Sequence, residues 1–360
     1  MGTPLEIGIA GAGLLGRLLA WQLSRAGHRV TVFDPAPDAT VRHDGRGAAA
    51  FTAAGMLSPL AERDSGGERV AGLGERSLAL WLQIAAALSA EPQQLVRQQG
   101  SLLLAHRGDA ASARRLLTHI ERGSVQPQPL DPQSLARLEP ALVPGLLGWL
   151  LPGEGQVMPA PMLQALQTQA PGVRWHWQQP VVAVERGRLQ LQDGSMQHCD
   201  LAIDARGLGA RPPLPLRGVR GELLWLHAPG LVLQRPLRLL HPRHPVYLVP
   251  RPGDIVVLGA SEIESEDRSP VSLRSAVELM AAAHSAVPEL AEARIVHLET
   301  NLRPALPDNL PLLQHEPGML RINGLYRHGW LIAPALVQDA LAALGLVGAA
   351  LNLEPERSHA

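Results

Sequence analysis

The amino-acid sequence predicts an α/β fold, and three observations carry that expectation. A short apolar strand, Ile7-Gly8-Ile9-Ala10, runs into Gly11-Ala12-Gly13-Leu14-Leu15-Gly16 and then into a helical segment from Arg17 to Arg25. A second apolar run, Val30-Thr31-Val32-Phe33, ends in Asp34. Strand, glycine turn, helix, strand and terminal acid thus fit within the roughly thirty residues that a dinucleotide-binding unit occupies. Far down the chain, Asp200-Leu201-Ala202-Ile203-Asp204-Ala205-Arg206-Gly207 and Leu320-Arg321-Ile322-Asn323-Gly324 again run from a strand into a small-residue turn. The sheet is therefore expected to be revisited late in the sequence.

Each residue of the first unit has a physical task. Gly11 permits the tight turn, Gly13 lets backbone N–H groups approach a pyrophosphate, and Gly16 lets helix and strand pack closely. The helix N-terminus offers unpaired N–H groups and the positive end of its dipole to the phosphates. Asp34 accepts hydrogen bonds from the adenosine ribose and repels a 2′-phosphate. The fingerprint alone admits either FAD or a nicotinamide cofactor.

The chain has 360 residues, 46% hydrophobic and 18% charged, enough for one large or two interleaved domains with a sizeable core. A net charge of −1 makes no electrostatic case for nucleic acid or an acidic membrane. The single cysteine, Cys199, excludes an internal disulfide framework and a cysteine-rich metal site, and a reducing cytoplasm is expected. Glu6 and Arg17 argue against a signal peptide at the apolar start. The apolar run Leu331 to Leu353 is interrupted by Pro334, Gln338 and Asp339, which favours a buried or amphipathic helix over a membrane span.

The remaining elements follow in order. After a polar loop from Pro35 to Gly47, the small residues Ala48 to Pro59 suit a backbone pressed against a flat ligand, or a tightly packed core turn. Gly67 to Leu88 reads as a helix with Leu73, Leu78, Trp81, Leu82 and Leu88 on one face. Gly100 to Ala105 reads as a strand, Asp109 to Arg122 as a helix, and Asp131 as the start of a helix that stops at Pro140. Gly153-Glu154-Gly155 is a turn, and Pro159 to Gln169 a helix with Pro161 in its first turn. Val173 to Trp177 and Pro180 to Glu185 are strands, and Gly187 to Gln192 pairs with Gln197 to Cys199 across Asp193-Gly194. Val219 to His227, Val246 to Pro250 and Ile255 to Ala260 are strand-like. Leu273 to Val287 is a helix capped by Ser272, Thr300 to Leu313 is a proline-rich stretch, and the last helix runs from Leu331.

With these motifs in place, the sequence resembles the FAD-dependent D-amino-acid oxidase superfamily, and within it the glycine oxidases of thiamine biosynthesis. The resemblance spans nearly the whole chain. It rests on Gly11–Gly16 with Asp34, Ala54-Gly55-Met56-Leu57, Asp204-Ala205-Arg206-Gly207 and Tyr247-Leu248-Val249-Pro250-Arg251. Leu302-Arg303-Pro304 with Pro307-Asp308, and the closing segment Gly324 to Pro334, are its most specific parts. It implies a Rossmann-type FAD-binding domain from residues 1–90, 152–215 and 300–360, and an antiparallel-sheet substrate domain from 91–151 and 216–299. Cofactor contacts are implied for Gly11, Ala12, Gly13, Leu14, Leu15, Gly16, Asp34, Ala54, Gly55, Met56, Val181, Gly207, Arg327, His328, Gly329, Trp330 and Leu331. Arg303 and Tyr247 take the positions that hold the substrate carboxylate, for which a buried bidentate cation is suited. Arg327 faces either substrate or cofactor.

The implied reaction oxidises glycine or another small amine or D-amino acid to its imine, which water hydrolyses while O₂ is reduced to H₂O₂. The protein supplies orientation, a dry pocket and positive electrostatics from the helix after Gly329, without a side-chain base. The alternatives are a D-amino-acid dehydrogenase serving a quinone, and a non-catalytic FAD-binding subunit. Cys199 lies outside any segment that attaches flavin covalently, so FAD is expected to be non-covalent, with no metal. A homo-oligomer is compatible with the sequence. Leu325 and His328 depart from the family's usual His and Asn in the closing loop, and Ala49 and Ala50 from its small polar residues, so any cofactor contact there is through backbone.

Overall fold

The strand Glu6–Ala10 lies inside a six-stranded sheet because Ile7, Gly8, Ile9 and Ala10 are all buried, the pattern of a strand covered on both faces. In the computed structural model, which describes residues 3–120, 125–240 and 246–346, it pairs in parallel with Arg29–Asp34 on one side and Leu201–Asp204 on the other. Ile9 is level with Val32 and with Ile203. Met319–Asn323 extends the sheet beyond Leu201–Asp204, and Arg174–Trp177 extends it beyond Arg29–Asp34, both in parallel. Leu312–Glu316, absent from the sequence-based expectation, closes one edge antiparallel. The chain thus returns twice to the sheet at the turns singled out in the sequence.

The helix Leu14–Arg25 starts directly after Gly13, three residues ahead of the expected Arg17. With Gly329–Ala343 and Pro159–Thr168 it covers the sheet, burying Leu18, Leu19, Leu23, Ile332 and Leu336 in one core. The expected helix Gly67 to Leu88 is the second part of a longer run, Pro59–Leu88. Gly67 breaks that run with a left-handed φ of 69°, a conformation that glycine adopts without steric cost. Among the described residues no helix is long and apolar enough to cross a membrane. Residues 347–360, including the end of the run Leu331 to Leu353, lie outside the described part.

The second sheet has eight strands in the order Arg294–Ala305, Arg217–His227, Ile255–Gly259, Val246–Arg251, Leu237–Leu240, Ser101–Ala105, Leu147–Leu151 and Gln128–Leu130. Its neighbours are antiparallel except Leu237–Leu240 beside Ser101–Ala105, which run parallel. Leu102, Leu104, Leu224, Leu237, Leu248 and Leu258 pack beneath the helix Leu273–Ala286. Ser272 caps that helix through a bond from Ser275 N–H at 3.1 Å, and Asp131 caps Pro132–Leu138 in the same way at 2.9 Å.

The largest departure is Arg294–Ala305, a long strand where the prolines suggested irregular chain. It is an edge strand, so Pro304 deprives no neighbour of a ladder hydrogen bond. This strand also runs across residue 300, where the sequence placed a boundary. The helix expected over Asp109 to Arg122 spans Ala110–Ile120, and residues 121–124 fall outside the described part. Glu154, read as a turn residue, is fully buried: its carboxylate accepts bonds from Leu60 N–H at 3.0 Å and from the Ser101 hydroxyl.

Candidate active site

A cavity of about 1440 Å³ runs from the glycine turn to the strand Val246–Arg251. It exceeds the roughly 300–1,000 Å³ of a site for one drug-sized molecule, which leaves room for a dinucleotide and a second, smaller ligand. Its lining includes Gly11, Ala12, Gly13, Leu14, Leu15, Asp34, Ala54, Gly55, Met56, Val181, Gly207, Tyr247, Arg303 and Arg327 to Leu331. Of the residues the sequence singled out for contact, Gly16 is the one that stays behind the wall. A Cβ there would run into the Gly11 carbonyl, so its task is to let the helix meet the turn.

At the glycine end the wall is mostly backbone. Gly11 has a φ of 101°, and an added Cβ would lie 2.6 Å from the Ala205 carbonyl. Asp34 accepts the Ala12 N–H at 2.6 Å and the Ala36 N–H at 2.8 Å, which ties the turn to the end of its strand. Each carboxylate oxygen retains a lone pair for a ribose. Arg17, 1% exposed, donates to the carbonyls of Ala12, Leu163 and Ala39 at 2.8–2.9 Å. Burial lowers its pKa to about 10, and it remains a cation behind the turn.

The middle of the cavity is assembled from segments far apart in sequence. Ala48 to Gly55 line one side, and an added Cβ on Gly13 would lie 3.3 Å from that of Ala48. Asn301 donates to Thr52 Oγ1 at 3.2 Å and to the Gly47 carbonyl at 3.3 Å. The Arg251 guanidinium reaches across from the second sheet to the Ala54 carbonyl and to Gln156 Oε1. Arg206 grips Asp204 through two bonds at 2.7 and 2.9 Å and donates to the Val181 carbonyl at 2.9 Å. That clasp fixes the turn at Gly207. Trp330 Nε1 donates to the Ala50 carbonyl at 3.1 Å, so the helix Gly329–Ala343 presents its first turn to the cavity.

The far end is lined by charged side chains. Arg303 donates to the carbonyls of Ser261 and Arg220 at 3.1 and 3.4 Å and lies over Gly221, where a Cβ would collide with it. Among the described residues no carboxylate forms an ion pair with Arg303. Tyr247 packs its ring over Gly259, which likewise has no room for a Cβ. Arg327 is clamped between Glu62 and Glu262, each at 2.8 Å, and Arg238 holds the other Glu62 oxygen at 2.8 Å. Glu262, beside Tyr326, opposes ionisation of its phenol. His328, 4% exposed, places Nδ1 3.4 Å from Glu62.

The charge states follow from burial and neighbours. Burial pushes the Glu62 carboxyl up, but Arg238, Arg327 and His328 together hold it well below the usual carboxylate range. Burial opposes the charge on Arg327, and the two carboxylates more than restore it. Burial takes His328 down to about 4, leaving it neutral at pH 7. Burial lowers the pKa of Arg303 against the pull of Tyr247 and Glu262, and it raises that of Tyr247, which stays a neutral phenol.

Glu62, Arg238, Ser261, Glu262 and Tyr326 were not recognisable in the sequence as residues of this site. Tyr326 alone left a signal, being one of two tyrosines and adjacent to Arg327. Cys199 does not line the cavity. It sits half-buried beneath Gly8, where burial pushes its thiol up.

The sequence matches the FAD dependent oxidoreductase family over residues 6–343. A protein of Rhizobium etli named as a thiamine biosynthesis oxidoreductase, ThiO, is 37% identical over 94% of this chain and 96% of its own length. The glycine oxidase of Geobacillus kaustophilus is 27% identical over 91% of this chain and 90% of its own. A crystal structure of glycine oxidase from that organism superposes with a TM-score of 0.80 at 26% identity, covering 96% of this chain and 95% of the other. The positive-φ glycine at the turn, the Asp34 carboxylate beside it and the helix N-terminus at Gly329 fit an adenine dinucleotide carrying a flavin. The chain belongs to the FAD dependent oxidoreductase family, with FAD as its cofactor.

Proposed function

We propose that the protein oxidises glycine, or a comparably small amine bearing one carboxylate, and uses O₂ as the electron acceptor. The observation that carries this reading is Arg303, a cation facing the cavity and held, among the described residues, by backbone carbonyls alone, with the neutral Tyr247 phenol beside it. A guanidinium so placed lacks a counter-charge that a substrate carboxylate would supply, and a charge-assisted bond of that kind is roughly twice as strong as a neutral one. The names of the Rhizobium and Geobacillus relatives support glycine as the amine and thiamine biosynthesis as the setting.

In this reading Gly11 to Leu15 and Asp34 hold the adenosine diphosphate portion, with Gly16 securing the turn. Ala54 to Met56, Val181, Gly207 and His328 to Leu331 surround the flavin, which is held non-covalently because Cys199 lies outside the cavity. The bound FAD supplies the two-electron oxidation. Arg303 and Tyr247 fix the carboxylate, which leaves the α-carbon and a neutral amine directed toward the cofactor. Arg327 serves the substrate end through its two carboxylates. Glycine, O₂ and water give glyoxylate, ammonia and H₂O₂. We assign the parallel sheet and its helices to cofactor binding, the eight-stranded sheet to substrate binding, and the whole to the cytoplasm, which suits a chain with a single cysteine.

The test is turnover by the purified yellow protein. Equal amounts of glyoxylate and H₂O₂ from glycine are expected. Dye reduction by glycine without O₂ consumption would replace the oxidase reading with a dehydrogenase.

A further inference from the structure

We infer that Gly221 is a positioning residue for Arg303: its bare backbone is the seat on which the guanidinium lies, and it sets how far that cation stands out from the sheet toward the cofactor. This rests on the substrate reading above and deepens it. In the register of the two strands, Gly221 is opposite Asn301 and Val219 is opposite Arg303, so Gly221 and Arg303 are diagonal neighbours on one face of the sheet. The Arg303 side chain runs along that diagonal. A Cβ on Gly221 would lie 2.8 Å from its Nη1 and nearer still to its Cζ and Nη2. The same Nη1 donates to the carbonyls of Ser261 at 3.1 Å and Arg220 at 3.4 Å. Those bonds hold the guanidinium down on the sheet, and a residue without a side chain leaves it the room to reach them.

The backbone itself does not call for glycine here. Gly221 has no left-handed φ, and it sits inside the eleven-residue strand Arg217–His227, where glycine is a poor choice unless another group must approach closely. The three atoms nearest its missing Cβ all belong to the Arg303 guanidinium. Gly259, on the next strand and opposite Tyr247, repeats the device beneath the phenol, but a Cβ there would also meet Leu223 of the buried core. Gly221 is therefore the position where the cation can be displaced without disturbing the core, because what must yield is the far end of a flexible side chain. Non-bonded heavy atoms settle about 3.5 Å apart, so Gly221→Ala drives the guanidinium roughly 1 Å off the sheet and away from both carbonyls. A misplacement of that size in a group that orients substrate costs on the order of 100-fold in rate.

The experiment follows the flavin absorbance of the FAD-loaded protein, first in titration with glycolate, which has one carboxylate, and then during anaerobic reduction by glycine. The native protein is expected to bind glycolate and R303A to lose it, which tests the substrate reading by itself. G221A should stay yellow and melt within about 2 °C of the native protein. It should bind glycolate roughly 10- to 100-fold more weakly, and glycine should reduce its flavin more slowly by at least as much. In the R303A background the added methyl has no guanidinium to displace, so the residual rate of reduction should stay within about twofold. Native glycolate binding and reduction in G221A, or an equal loss in both backgrounds, would overturn the inference while leaving the substrate reading intact. Should G221A fail to fold, the double variant with R303A is expected to fold and hold flavin, and its failure too would overturn the inference. A native protein indifferent to both ligands would overturn the substrate reading, and the inference with it.

Discussion

At the glycine end of the cavity, contacts come from main-chain groups and short side chains within about thirty residues of sequence. At the Tyr247 end they come from long, mostly charged side chains on six separate segments, carrying Glu62, Arg238, Tyr247, Glu262, Arg303 and Arg327. The first end recognises a constant part, a nucleotide, and needs only close approach and aligned N–H groups. At the second, Arg238 and Arg327 are paired with Glu62 and Glu262, while Arg303 bonds backbone carbonyls and faces the cavity. In the proposed reading, backbone shape selects the cofactor and the Arg303 cation selects the substrate.

Breaking the backbone end should have the largest effect. Gly16→Ala puts a Cβ into the Gly11 carbonyl, where no side chain can yield, and more than about 4 kcal/mol of destabilisation is expected. Flavin content and thermal unfolding of the purified variant check this, and a yellow protein of native stability would refute it. Arg303→Met acts at the other end. It should retain FAD and the native melting temperature but lose about 3–4 kcal/mol in glycine kcat/KM, roughly 150- to 1,000-fold. Loss of colour in that variant would erase the distinction between the two ends.

Glu62→Gln sharpens the comparison through pH. Its folded-state pKa is depressed by Arg238 and Arg327, so its contribution is present above the unfolded value and lost as pH falls below it. The variant should be less stable by about 3 kcal/mol at pH 7. That difference should shrink as pH falls from about 5 to 3, through the range in which an ordinary carboxylate protonates. Urea unfolding at several pH values measures it.

Glu154 carries the smallest expected effect and the opposite sign. Burial raises its pKa to about 7, so its contribution is complete below the unfolded value near about 4.3 and is lost as pH rises through 7. Glu154→Gln should match the native protein near pH 4 and gain on it by a few °C toward pH 8, read from thermal unfolding.

The same contrast explains what the sequence disclosed. Gly11, Gly13, Gly16 and Asp34 were legible because their spacing is fixed by one local turn, and Asp204–Gly207 and Gly324–Gly329 because they repeat its form. Arg303 and Tyr247 were found through their family resemblance. Glu62 and Glu262 left no local signal: both pair with a residue on a remote segment, Arg327, that the fold brings within 2.8 Å. Arg294–Ala305 was hidden for a different reason. Proline is a breaker in most strands and harmless on an open edge, and which strand becomes the edge is a property of the assembled sheet.

Anaerobic addition of glycine to the oxidised holoenzyme, beside Arg303→Met, tests the central claim most directly. Rapid bleaching of the native flavin at glycine concentrations that leave the variant oxidised is predicted, with colour returning on admission of O₂ as H₂O₂ appears. A native flavin that stays oxidised with glycine, or a variant that bleaches equally well, would contradict it.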